Sequence, residues 1–218
     1  MFSPVEPINV LCLHGCRQTA TTQKKIMRDY IKLSDQYSIT FHFLEAEYDH
    51  SEIGKMWLPE QLVIEDIGKI YYEDVTTDKC LQRLDDYIKT NHIDVLFGFS
   101  QGGNIVDTYL RNYVNNIKCA VIISGYSFLY RTPNKRVTKY DIVDGKYNYT
   151  YELETMELLN IPLLNIYSES DKIVASKHRP TMYKRIQDIK YETGHRHPTT
   201  KLVICEILEW IRDECHAK

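Results

Sequence analysis

The run Ile93-Asp94-Val95-Leu96-Phe97-Gly98-Phe99-Ser100-Gln101-Gly102-Gly103-Asn104 constrains this chain more than any other stretch. A mostly apolar segment leads into a G-x-S-x-G pentapeptide centred on Ser100, and a helix-like segment leaves it. A strand that turns sharply into a helix holds its apex residue in a strained, projecting position. The two backbones then pass so close that a Cβ beside the apex would clash, which explains Gly98 and Gly102. Gly103 adds room on the helix side. The pentapeptide alone is short and recurs by chance; its strand-before, helix-after setting makes Ser100 a candidate nucleophile.

Around that elbow, short apolar runs alternate with helical patterns, which predicts an α/β fold with a mainly parallel sheet covered by helices. The predicted strands are Ile8 to Leu13, Ile39 to Leu44, Ile93 to Phe97, Lys118 to Ile123, Leu163 to Tyr167 and Ile189 to Glu192. Alternation in Phe41-His42-Phe43 places the second strand nearer an edge. Helices are expected from near Thr22, Asp78, Gly102, Ser176 and Thr199. In the last, Val203, Ile207 and Trp210 or Ile211 recur at helical spacing and read as core, as do Ile26, Tyr30 and Leu33 in the first. Two longer segments interrupt the alternation, near 45–72 and 130–155. Each follows a strand, at the sheet end where ligands bind, and each is a candidate lid or pocket loop.

The 218 residues suit one domain spanning 1–218, without repeats or a linker. Hydrophobic residues make up 43% and charged residues 26%, which argues against disorder. A net charge of −3 with no basic stripe gives no reason to expect nucleic acid or an anionic membrane as partner. The first ten residues lack a basic and then apolar pattern, so they do not read as a signal peptide, and no run is long enough to span a bilayer. A cytoplasmic protein is expected. Its six cysteines (Cys12, Cys16, Cys80, Cys119, Cys205 and Cys215) are then read as free thiols. Cys12 and Cys16 with His14 do not complete a metal site, and no metal or cofactor is expected.

A serine hydroxyl needs a base to take its proton and an acid to orient that base. In sheets with such an elbow these follow in the order Ser, Asp or Glu, His. Asp171 lies where Ser168-Glu169-Ser170-Asp171 turns off a predicted strand. His195 lies in Thr193-Gly194-His195-Arg196-His197-Pro198, between the last strand and the last helix. Glu169 competes with Asp171 as the acid, and His197 competes with His195 as the base. His178, on a predicted helix, reads as a surface residue. The oxyanion of an acyl-transfer intermediate needs donors: the backbone N–H of Gln101 at the helix start and, from the loop after the first strand, that of Cys16. Gly15 allows the close turn there, and His14 is read as packing that holds this loop in place. A cysteine nucleophile at Cys16 or Cys119 is a weaker rival, since neither sits at an elbow.

Leu11-Cys12-Leu13-His14-Gly15, Arg17-Gln18, Gly98 to Gly102, Ile123-Ser124-Gly125-Tyr126-Ser127-Phe128 and the Gly194-His195 to Pro198 loop occur in the order found in the FSH family of serine hydrolases, which this chain resembles over nearly its whole length. The resemblance implies an α/β-hydrolase fold and hydrolysis of carboxylic esters or thioesters, with Ser100, Asp171 and His195 as triad and Cys16 and Gln101 at the oxyanion hole. The partner would be a small acyl ester or thioester. The chain departs from the family pattern at Glu45-Ala46-Glu47, usually Asp-Ala-Pro, and at Thr193-Gly194-His195, usually Gly-Gly-His. These departures bear on pocket shape and substrate. An acyltransferase using the same site and a silent hydrolase fold acting as a ligand sensor are the rival readings.

Overall fold

The computed structural model describes residues 7–50, 54–58, 74–113, 116–125, 139–143, 146–150, 158–174 and 183–217. Six strands form one parallel sheet: β1 (Ile8–Leu13), β2 (Ile39–Leu44), β5 (Val95–Phe99), β6 (Cys119–Ile123), β9 (Leu163–Tyr167) and β10 (Ile186–Lys190). Their order is β10-β9-β6-β5-β1-β2, with β2 at one edge. Two antiparallel hairpins, β3 (Tyr48–Asp49) with β4 (Lys55–Met56) and β7 (Lys139–Val143) with β8 (Lys146–Thr150), lie in the two long segments.

Parallel neighbours need crossovers, and the first four described helices supply those between β1 and β6, while the fifth follows β10. The helices are α1 (Ala20–Ile26), α2 (Arg28–Ser34), α3 (Asp74–Thr90), α4 (Gln101–Asn112) and α5 (Lys201–His216). Successive strand residues face opposite sides, so the core divides in two. Val10, Cys12, Phe97, Val121 and Ile166 pack on one face with Tyr30 of α2 and Ile207 of α5. Leu11, Leu13, Leu96 and Ile122 pack on the other with Leu84 of α3 and Ile105 of α4. Between the sheet and its neighbours α4 is enclosed: every residue from Gln101 to Leu110 is buried.

Four details depart from the sequence reading. The strand before the serine runs from Val95 to Phe99 rather than Ile93 to Phe97, because the N–H of Ile93 instead closes the end of α3 on Ile88 O, at 3.1 Å. The last strand is Ile186–Lys190 rather than Ile189 to Glu192; only Ile189 of its five residues is buried, so this edge strand carries little apolar signal. The first predicted helix is two, broken at Met27, and the break turns Ile26 outward (39% exposed) while Met27 fills the core. The remaining starts shift by a few residues: Ala20 for Thr22, Asp74 for Asp78, Gln101 for Gly102 and Lys201 for Thr199. The helix expected near Ser176, His178, the Tyr126-Ser127-Phe128 stretch and most of the two long segments lie outside the described residues.

Candidate active site

Strand β5 ends at Phe99, α4 begins at Gln101, and Ser100 between them has φ 51° and ψ −120°. This conformation is costly for a residue with a side chain and is held by its surroundings. The Ser100 N–H donates to Ile123 O of β6 at 2.9 Å. A Cβ at Gly98 would lie 2.5 Å from Gly103 Cα, and one at Gly102 would run into the Leu13 carbonyl. Gly98 therefore lets strand and helix meet, whereas Gly102 lets the helix start meet the end of β1.

Two loops bring groups to the Ser100 hydroxyl. His195 Nε2 is 2.9 Å from Ser100 Oγ, and His195 Nδ1 is 2.8 Å from Asp171 Oδ2. The Asp171 side chain is only 1% exposed. Its other oxygen accepts from the N–H groups of Ile173 and Val174, at 2.8 and 2.9 Å. Burial works to raise the pKa of this carboxyl; the Val174 N–H, His195 and the Ile173 N–H outweigh it, so it titrates below its ordinary value. The two loops are also laced together. Gly194 N–H donates to Ser168 Oγ at 3.2 Å, and Ser168 Oγ lies 2.9 Å from Ser170 Oγ.

The competing residues are placed elsewhere. Glu169 faces outward, 63% exposed, with its carboxylate 2.7 Å from Lys190 Nζ. His197 is 3% exposed and lies between Phe97, stacked at 6.2 Å, and Phe99 at 4.5 Å. Neither ring nitrogen of His197 has a hydrogen-bond partner among the described residues. Burial, with His195 nearby, pushes its pKa down to about 3. The unfolded chain binds a proton here below about pH 6.5, and the native chain refuses it until much lower pH, so stability falls with pH through that window by about 1.4 kcal/mol per unit. Replacing His197 by Phe removes this titration. The variant should lose about 2 kcal/mol less stability than wild type between pH 7.5 and pH 5, measured by urea unfolding at both values. Equal losses in the two proteins would contradict it.

The loop after β1 sits directly on the elbow. A Cβ at Gly15 would lie 2.9 Å from the Phe99 ring and 3.3 Å from Ser100 Cβ. Cys16 follows and is half-buried, and the leading N–H groups of α4 have no acceptor within the helix. Arg17 has φ 65°, and Gln18 Oε1 accepts from Gly15 N–H at 3.0 Å. His14 is fully buried behind this turn. Ala46 N–H donates to its Nε2 at 3.1 Å, so the proton is on Nδ1, which donates to Gly15 O at 2.8 Å. Burial lowers the pKa of His14, with Gly15 O and Glu45, 3.2 Å from Nε2, acting the other way. The Glu45 carboxylate accepts from Ala20 N–H at the start of α1, at 3.2 Å.

Trp57 also belongs to this frame, a role that sequence reasoning did not assign. Its indole N–H donates to His14 O at 2.7 Å, its backbone N–H donates to Gln101 Oε1 at 2.9 Å, and it is 2% exposed. Gly54, with φ 143°, lets its strand approach Arg17, where a Cβ would lie 2.5 Å from the carbonyl oxygen. Arg17 N–H then donates to Lys55 O at 2.9 Å. The described part of the first long segment is thus a buttress for the β1 loop and the start of α4. Only the isolated Trp and Gly in a polar stretch marked it.

All six cysteines are free thiols, and no group of three or more His, Cys, Asp or Glu among the described residues is arranged to hold a metal. No described helix is long and apolar enough to cross a membrane.

Comparison with known proteins gives the chain's family and fold. The family model described as Serine hydrolase (FSH1) matches residues 3–207. Among solved structures, the chain is similar to a carboxylesterase from Mesorhizobium loti, with TM-score 0.62 and 13% identity over 94% of this chain and 88% of that one. It is similar to SOBER1 from Arabidopsis thaliana, with TM-score 0.62 and 14% identity over 95% of this chain and 99% of that one. A Bacillus cereus carboxylesterase gives TM-score 0.61 and 14% identity over 96% and 89%. At these identities the likeness establishes the α/β fold. No curated protein sequence matches the chain significantly. With nearly its whole length matched, the chain belongs to the Serine hydrolase (FSH1) family and is a hydrolase.

Proposed function

We propose that this serine hydrolase cleaves carboxylic esters and thioesters of small molecules through an acyl-serine intermediate. Ser100 is the nucleophile, His195 the base and then the acid, and Asp171 the residue that orients His195. The observation that carries this reading is the unbroken chain from Asp171 Oδ2 through the imidazole to Ser100 Oγ, with links of 2.8 and 2.9 Å.

With Asp171 ionised, the proton of neutral His195 rests on Nδ1 and leaves Nε2 free to accept. As Oγ bonds to the acyl carbon, its proton passes to Nε2, and the carbonyl oxygen becomes an oxyanion. The N–H groups of Gln101 and Cys16 serve as its donors; such preorganised donors are worth about 3 to 4 kcal/mol each in the barrier. Collapse breaks the bond to the leaving oxygen or sulfur, which takes the proton from Nε2. Water then repeats the sequence: it gives a proton to Nε2 and attacks the acyl carbon, and the proton returns to Oγ as the acid departs. No step needs a metal or cofactor.

The test is turnover of p-nitrophenyl esters and acyl thioesters of graded chain length, with products separated. Free carboxylic acid should appear in step with released alcohol or thiol, after a burst of leaving group where deacylation is slow. Acyl groups recovered mainly on an added acceptor would overturn hydrolysis in favour of transfer. A folded protein that neither turns over any substrate nor reacts with a fluorophosphonate would be a binding protein.

A further inference from the structure

Two carbonyls flank the base, those of Gly194 and Arg196, and both converge on one hydroxyl. Tyr191 Oη lies 3.0 Å from Gly194 O and 2.6 Å from Arg196 O. A phenol has one proton, and these carbonyls take it. The third neighbour, Ser124 Oγ at 2.9 Å, is therefore the donor to Tyr191. Both residues are buried, at 3% and 6% exposure. Burial raises the pKa of the phenol and keeps it protonated.

Ser124 has φ 49° and directly follows Ile123, whose carbonyl accepts the N–H of Ser100. The end of β6 thus holds the backbone of the serine and, through Tyr191, the loop of the histidine. We infer that Ser124 and Tyr191 are positioning residues that set the distance between the His195 imidazole and Ser100 Oγ. The inference rests on the triad reading. It assigns them no proton transfer: they act by fixing the loop on both sides of His195. Displacing a reacting group by about 1 Å can cost two orders of magnitude in rate, so removal of one hydroxyl should be visible in turnover.

The experiment compares ester kinetics of wild type, Tyr191→Phe, Ser124→Ala and the double variant, with Tyr109→Phe as control. Tyr109 also buries a bonded hydroxyl, to Asp85 at 2.9 Å, but near the C-terminal end of α4, away from its serine end. Each single variant should lower kcat by about ten- to a hundred-fold with KM within about two-fold, and slow fluorophosphonate labelling in parallel. The double variant should be no worse than the worse single one, because both break the same chain of bonds. Tyr109→Phe should keep kcat within about two-fold at a similar loss of thermal stability. Folded Tyr191→Phe and Ser124→Ala proteins with unimpaired kcat would overturn the inference, as would an equal loss in Tyr109→Phe. Ser100→Ala separates the two failures. If it still turns over ester, the triad reading falls and this inference with it; if it is dead beside an unimpaired Tyr191→Phe, this inference falls alone.

Discussion

Ser100→Ala is expected to lower ester turnover by about six orders of magnitude, the scale seen when a triad serine is removed elsewhere. The variant should fold, because alanine removes only the hydroxyl and leaves the Ser100 N–H donating to Ile123 O and the glycines around it in place. The strained φ of 51° is set by strand and helix, not by the hydroxyl. Without Oγ no acyl-enzyme forms, and what remains is water attacking an ester held against the oxyanion donors. Fluorophosphonate labelling should vanish with activity while the thermal midpoint stays near wild type. A variant that is labelled as wild type is labelled would place the nucleophile elsewhere.

Asp171→Asn should be the next most damaging change, lowering turnover by about four orders of magnitude. The side-chain oxygen that accepts from Ile173 and Val174 keeps its role in the variant, since both partners are donors. The asparagine amide is then turned toward His195 Nδ1. It donates, so Nδ1 becomes the acceptor and the proton moves to Nε2, which faces Ser100 and can no longer take its proton. Glu169→Gln should leave kcat near wild type, because that carboxylate meets Lys190 on the outside of the loop. Steady-state kinetics of the two variants at neutral pH decide between the carboxylates; an impaired Glu169→Gln beside an active Asp171→Asn would reverse the assignment.

The strand–serine–helix elbow was legible because its constraints are local. Two backbones in contact require glycine, and an apolar run of five residues reports a central strand buried on both faces. For the same reason β1, β2 and β9 were read with their observed ends, and β2 was placed at an edge from its alternation. The base loop stood out through Gly194, which has φ 68° in the fold. Legibility failed where one residue depends on a distant partner. Trp57 and Gln101 are 44 apart in sequence, and Ser124 and Tyr191 are 67 apart, so no spacing rule connects them. His197 reads like His195 in a one-dimensional sequence; only packing shows that its neighbours are aromatic rings, with no carboxylate in hydrogen-bond reach. At β10 the failure has another cause. An edge strand with four of its five residues outside the core carries too little apolar pattern to fix its register.

On the proposed triad, strand order also sets when the enzyme can first work. The serine's turn is framed by β1, β5 and β6, at the middle of the sheet, whereas the histidine follows β10, the outermost strand on its side. A chain synthesised from its N-terminus makes His195 95 residues after Ser100. Until β10 has joined β9, the proposed nucleophile lacks the proposed base. We therefore expect a growing chain to be chemically quiet, and the ability to cleave an acyl bond to arrive only once β10 is in place.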